Sequence, residues 1–222
     1  MLIEKTEFRV SCLLFDMDGT LLDSQAPMIR AYAEWADCRG LDLAMVLRVC
    51  QGRRVIDTVR ALAPAGVDHD ADAAALSDRE RNDVEGVVEI PGAGAFLRSI
   101  PTGRWAVVTS ADRVLATNRM KAAGLPIPPL LTTADDIAKG KPAPDGFLMA
   151  ARTLGAEPKS AAVFEDSAAG ITAGLQAGSV VIAIRSTLSA AQIESLAPRG
   201  YIDNMIGLSV RSEAQQLILR IA

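Results

Sequence analysis

The sequence predicts an α/β protein, a doubly wound parallel sheet with an all-helical segment inserted early in the chain. Three features carry that expectation. Near-continuous apolar runs of strand length recur at residues 10–15, 105–108, 161–164 and 180–184, as in strands buried on both faces of a parallel sheet. Each run leads into a polar or glycine-containing turn and then a helical pattern, the alternation typical of α/β folds. Between Asp23 and about Val87 that rhythm stops, and apolar residues recur at helical spacing instead.

In chain order, the first strand (10–15) ends at Asp16. The inserted block then reads as successive helices: Met28, Ile29, Tyr32 and Trp35 share a face, as do Leu43, Val46, Leu47 and Cys50, and then Val55, Val59 and Leu62. The Ala/Asp-rich stretch 68–83 keeps a helical pattern and reads as a solvated face. The block closes at the turn Ile90-Pro91-Gly92. Helix 111–123 follows the strand at 105–108, and Pro144 suits the first turn of a helix over 144–154, where its missing N–H is not needed. The strand at 161–164 leads to a helix over 167–177 and then to the strand at 180–184. There is no internal repeat. The expected organisation is a Rossmann-like core made of 1–22 and 88–222, with helices on both faces of its sheet, and a helical cap made of 23–87.

Composition narrows the function classes. The 222 residues are 50% hydrophobic and 23% charged, with 17 Gly and 11 Pro, which suits a folded chain of one to two domain units rather than a disordered one. The formal net charge of −4 offers no broad positive field, so nucleic acid is excluded as an expected partner. Cys12, Cys38 and Cys50 lack the number and spacing of a disulfide framework or a thiolate zinc site, and a reducing cytoplasm is the expected compartment. Glu4, Lys5, Glu7 and Arg9 precede an apolar run too late and too brief for a signal peptide, and no stretch approaches the ~20 apolar residues of a membrane span.

Four motifs carry chemistry. FDMDGTLLDS (15–24) puts Asp16 and Asp18 on one side of the chain at the carboxyl end of a strand, where open α/β sheets place ligands. Two such carboxylates repel, and a hard divalent cation such as magnesium relieves them; alternatively they cap a turn. An EF-hand is excluded, because the twelfth position from Asp16 is Pro27. AVVTS (106–110) ends a strand with Thr109 and Ser110, hydroxyls that either meet a phosphate or cap the next helix. AKGKPAPDGF (138–147) is no Walker loop, since Pro142 follows Lys141, yet a lysine on stiffened backbone can neutralise a phosphoryl group. VFEDSAAGITAG (163–174) ends a strand with Glu165 and Asp166, a second acidic pair.

Taken in this order, the motifs resemble those of the haloacid dehalogenase-like hydrolase superfamily over essentially the whole chain. The resemblance implies Asp16 as nucleophile, Asp18 as general acid/base, Thr109 in the second motif and Lys141 in the third. It implies magnesium held by Asp16, by the main-chain carbonyl of Asp18 and by the acidic pair Glu165 and Asp166, with Asp166 the better match. The segments RAYAEWADCRGL, CQGRRVIDTVRAL and TTADDIAKGKPAPD are similar to the family's phosphatases of glycerol, deoxyglucose and hexitol phosphates. The expected substrate is therefore a small phosphorylated metabolite, met by Thr109 and Ser110 of the core and by Arg53 and Arg54 of the cap, in a monomer or weak homodimer.

Rival chemistries fit less well. The single histidine, His69, lies near no G-x-S-x-G turn, and Gly92-Ala93-Gly94 has Leu97 where a dinucleotide loop needs its third glycine. A phosphoacceptor signalling domain orders its acidic residues differently. A sugar phosphomutase shares every motif, but the position at which the resemblance implies a mutase histidine is Met28, whose thioether cannot donate a hydrogen bond.

Overall fold

The computed structural model describes residues 1–3 and 6–221, so Glu4 and Lys5 lie outside the described residues. Its centre is a parallel six-stranded sheet of β2 (Cys12–Phe15), β5 (Trp105–Val108), β6 (Leu131–Thr132), β7 (Ala161–Glu165), β8 (Val180–Ile184) and β9 (Gly200–Ile202). The strand order is β6-β5-β2-β7-β8-β9, which puts β2 between β5 and β7. Strand alternation divides its side chains between two cores. Leu13, Phe15, Trp105, Val107 and Phe164 face α5 (Ala93–Ser99) and α6 (Arg113–Ala122). Leu14, Ala106, Val108 and Val163 face α7 (Asp145–Thr153), α8 (Ala168–Gln176) and α9 (Ala190–Leu196). Beneath the future site Phe15 stacks on Phe164 with ring centroids 4.8 Å apart, and Trp105 and Phe96 meet Phe15 edge-on.

The apolar run at 10–15 is two strands, not one. A bend at Ser11 separates β1 (Thr6–Val10) from β2, and β1 belongs to an antiparallel sheet with β10 (Leu208–Glu213) and β11 (Gln216–Ile221), ordered β1-β11-β10. That sheet buries Phe8, Val10, Leu217 and Leu219 in the first core.

Between β3 (Leu22–Asp23) and β4 (Val88–Glu89), which pair as a short antiparallel ribbon, the chain forms α1 (Gln25–Arg39), α2 (Leu43–Cys50), α3 (Val55–Leu62) and α4 (His69–Asn82). These helices have an apolar cluster of their own, with Tyr32, Trp35, Val46, Val59 and Leu76 buried in it. Asp42 and Asp68 cap α2 and α4 by accepting first-turn N–H groups. The stretch 68–83 departs from the solvated face expected of it: Asp72 and Glu80 are both buried. Asp72 accepts from Trp35 Nε1 at 2.9 Å and from both arms of Arg39. No helix among the described residues is long and apolar enough to cross a membrane.

Candidate active site

All four motifs converge at the carboxyl end of the parallel sheet. Asp16 follows β2, Thr109 follows β5, Lys141 lies in the loop after β6, and Glu165 and Asp166 sit at the end of β7. Carboxylate oxygens of Asp16, Glu165 and Asp166 lie within 4.8 Å of one another, and all three residues are buried. The ammonium of Lys141, itself buried, donates to Asp16 Oδ1 and, at 2.6 Å, to Glu165 Oε1. It also stands 5.3 Å from the centre of the Phe147 ring.

The carboxylates differ in what else they hold. Glu165 is fully engaged: beyond Lys141 on Oε1, its Oε2 accepts the N–H groups of Asp166 and Ser167, both at 2.8 Å, and the Ser167 hydroxyl at 3.0 Å. Asp166 Oδ1 accepts from Thr20 at 3.1 Å and Oδ2 from the hydroxyl of Thr187. On Asp16, Lys141 occupies Oδ1, and no side-chain hydrogen bond among the described residues ends on Oδ2. Glycine is required beside this cluster: Gly19 has φ +79°, and a Cβ there would run into the Asp166 carboxylate. A Cβ at Gly170 would likewise meet the Glu165 carboxylate.

Three carboxylates around one ammonium leave the cluster short of positive charge. Burial pushes Asp16 well above the usual carboxylate range against the pull of Lys141, with Glu165 and Asp166 adding to the rise. Asp166 is pushed up to about 8, by burial first and the Glu165 charge second. Burial works against the Lys141 ammonium, but Asp16 and Glu165 overcome it and hold its pKa above the ordinary lysine value.

Asp18 stands apart from this cluster. Its Oδ1 accepts from Ser24 Oγ at 2.6 Å and from Arg119 Nη1 at 3.0 Å. Thr109 Oγ1 accepts the N–H of Ala111 at 3.0 Å, which leaves the hydroxyl proton to donate elsewhere. Ser110 Oγ instead reaches across to the helical insertion, donating to the Gly52 carbonyl at 2.8 Å. Arg54 also bridges the two units: its Nε and Nη2 grip Asp57, while Nη1 donates to the carbonyls of Ile137 and Ala138 at 3.3 and 3.1 Å. Arg53 is exposed. Asp16, Asp18, Met28, Arg53, Thr109 and Arg119 are among the residues lining a cavity of about 390 Å³ between sheet edge and helices.

Several polar groups here have no role in the motif reading: Thr20 and Ser24, although both lie within 15–24, and Thr187, Glu80 and Arg119, which lie outside all four motifs. Arg119 and Glu80 did carry a signal. Arg119 follows Leu115 and Ala116 by four and three positions, and Glu80 follows Leu76 and Ala73 by four and seven, which puts both charges on the apolar stripes of their helices.

The model of the family described as haloacid dehalogenase-like hydrolase matches residues 10–178. Hexitol phosphatase A of Escherichia coli (strain K12) is 38% identical over 182 residues, which cover 80% of this chain and 84% of that protein. Glycerol-1-phosphate phosphohydrolase 2 of Saccharomyces cerevisiae is 33% identical over 193 residues, covering 81% of this chain and 76% of that one. A hydrolase from Pseudomonas syringae shares the fold, with a TM-score of 0.79 at 23% identity over 88% of this chain and 94% of that chain. Since the matched span runs from β2 through α8 and so contains every motif gathered at the sheet edge, the chain belongs to the haloacid dehalogenase-like hydrolases.

Proposed function

We propose that this protein is a magnesium-dependent phosphatase that hydrolyses small phosphorylated sugars or polyols through an aspartyl phosphate on Asp16. The observation that carries the reading is Lys141, buried between Glu165 and Asp16, the latter lining a cavity sized for a small metabolite. A phosphomonoester dianion repels a carboxylate nucleophile, so attack by Asp16 needs positive charge fixed on the phosphoryl oxygens. Glu165 aims the Lys141 ammonium at that position, and the free hydroxyl proton of Thr109 supports it. The two relatives reported above, named for hexitol and glycerol phosphates, support the substrate class.

The donor set fits magnesium: hard carboxylate oxygens with a deficit of positive charge, of which Asp16 Oδ2 and Asp166 remain for a cation once Glu165 is committed to Lys141 and to backbone amides. The ion, when bound, neutralises phosphoryl charge and orients the ester. Asp16 attacks phosphorus while Asp18 protonates the departing alkoxide; Asp18 then takes a proton from the water that hydrolyses the aspartyl phosphate. In this reading residues 23–87 are the cap, held down by the Ser110–Gly52 and Arg54–loop contacts, which shield the intermediate and limit the size of the leaving group. Arg54 serves that closure, and Arg53, exposed on the cavity wall, is the arginine available to substrate hydroxyls. The free cysteines suit a reducing cytoplasm.

Mutase chemistry is disfavoured by Met28, which lines the cavity without a donor, and Ser24 and Arg119 hold Asp18 instead. The test is phosphate release from a panel of sugar and polyol phosphates with magnesium. Turnover should vanish in excess chelator and in Asp16→Asn. Conversion of a hexose 1-phosphate to its 6-phosphate without free phosphate would overturn the reading, as would an active Asp16→Asn enzyme.

A further inference from the structure

Arg119 sits where the cap meets the acid/base group. It projects from α6, its side chain is 4% exposed, and it donates through Nη1 to Asp18 at 3.0 Å and through Nη2 to Glu80 of α4 at 2.9 Å. Glu80 is as deeply buried, with a side chain 5% exposed. Two further contacts fix α4 against α6: Arg81 Nε donates to Asp112 at 3.0 Å, and Asn118 Nδ2 donates to the Arg81 carbonyl at 3.0 Å. Among the described residues, Arg119 Nε alone is a buried side-chain polar atom without a hydrogen-bond partner. An unmet buried donor is costly, so the guanidinium is placed to reach Asp18 and Glu80 rather than to satisfy all of its own groups.

We propose that Arg119, held by Glu80 of the cap, is the positioning residue that orients Asp18 for proton transfer. The inference rests on the phosphatase reading and extends it to the origin of the acid's geometry. Both donors to Asp18, Ser24 and Arg119, meet Oδ1, and no side-chain hydrogen bond among the described residues ends on Oδ2. A proton carried by Asp18 therefore sits on Oδ2. As the Asp16 oxygen–phosphorus bond forms and the ester P–O bond breaks, that proton passes to the leaving alkoxide. When water then attacks phosphorus and the Asp16–phosphorus linkage breaks, Oδ2 takes a proton from the water and inorganic phosphate leaves. Without Glu80 the guanidinium is free to turn both arms onto Asp18 as a fork, tying up the oxygen that must exchange the proton. The acid/base group is thus set only while α4 rests on α6.

The test uses Arg119→Lys and the double variant Arg119→Met/Glu80→Leu, since replacing a buried ion pair by apolar residues commonly preserves folding. Thermal melting checks the fold. With glycerol 1-phosphate and magnesium, kcat should fall roughly 10- to 100-fold while KM moves by less than about threefold, a part of the ~10²- to 10⁴-fold that positioned proton transfer supplies. With 4-nitrophenyl phosphate, whose leaving group needs no proton, rapid mixing should show a stoichiometric burst of nitrophenolate followed by a slow steady state, because only the second half-reaction still needs Asp18. A wild-type kcat on glycerol 1-phosphate in the folded double variant would overturn the proposal. So would burst and steady-state rates that fall in the same proportion. If the double variant does not fold, the same readings on Arg119→Lys decide. Failure of the parent reading looks different: the wild-type enzyme would release no phosphate from any ester, or Asp16→Asn would remain active.

Discussion

Replacing Lys141 with methionine removes a buried cation from between two carboxylates and keeps most of the side-chain volume. At an effective dielectric constant of about 20, unit charges about 4 Å apart interact by roughly 4 kcal/mol, so attraction to Asp16 and Glu165 is worth about 8 kcal/mol gross. The net cost of the substitution is smaller. Burial already drives Asp16 and Asp166 toward the protonated form, and without the ammonium they take up protons instead of bearing unopposed charge. The expected loss is therefore about 3–5 kcal/mol, as for other broken buried pairs, measured by urea denaturation in chelator. Turnover should fall by at least the ~10²- to 10³-fold typical of one lost electrostatic donor. Adding Glu165→Gln should restore much of the stability by removing a repelling charge, yet none of the rate, because no cation then faces the phosphoryl group. Lys139→Ala, at an exposed position two residues away, should change stability by less than about 0.5 kcal/mol. A Lys141→Met protein within about 1 kcal/mol of wild type, or active to within about tenfold, would refute the argument.

Magnesium at about 100 times its dissociation constant should stabilise the protein by about 2.7 kcal/mol, and Asp166→Asn should abolish most of that rise in melting temperature. Gly170→Ala lies inside α8, where alanine ordinarily stabilises by about 1 kcal/mol; here the methyl group meets the Glu165 carboxylate, so a loss of about 1–3 kcal/mol and a lower kcat are expected from denaturation and phosphate-release assays. The hydrogen bonds from Arg39, then from Trp35, lower Asp72 to about 2. A carboxylate depressed in the folded state stabilises above its unfolded value near 4, and that contribution fades as pH falls toward about 2. Asp72→Asn should cost about 1.5–3 kcal/mol at neutral pH and flatten the acid limb of the stability curve between those limits.

The parts of the fold legible in the sequence are those whose signal is local. Strands buried on both faces must be apolar at every position, so β5, β7 and β8 appear as uninterrupted runs, and the carboxylates that close β2 and β7 stand out against them. The split at Ser11 leaves no such trace, because Val10 and Cys12 are both buried although they belong to different sheets. The partner of β1 lies at the far end of the chain, and nothing near residue 10 announces it. At the site, motif residues were readable because their chemistry is unusual for a strand end. Glu80 and Arg119 stand on the apolar stripes of their helices, which marks each as unusual but does not say what it meets. Only the packing of α4 on α6 turns them into a buried pair. Thr187 follows β8, beyond the last motif, and becomes relevant only because β8 lies beside β7 and leads the chain back to Asp166.

The strand order of the small antiparallel sheet has a consequence for how the molecule is made. Its middle strand is β11, and Thr6 pairs with Ile221 while Val10 pairs with Leu217. Every other strand lies between β1 and β11 in the chain, so during synthesis β1 leaves the ribosome well before its hydrogen-bonding partner exists. Contacts between such distant positions form late and slowly, because most of the chain's freedom must be lost before they are rewarded. Leu217, Leu219 and Ile221 then close the core over Phe8 and Val10. Until that step, β1 offers an unpaired edge with the apolar side chains of Phe8 and Val10 uncovered, so refolding yield should depend on protein concentration and drop sharply when residues 216–221 are deleted.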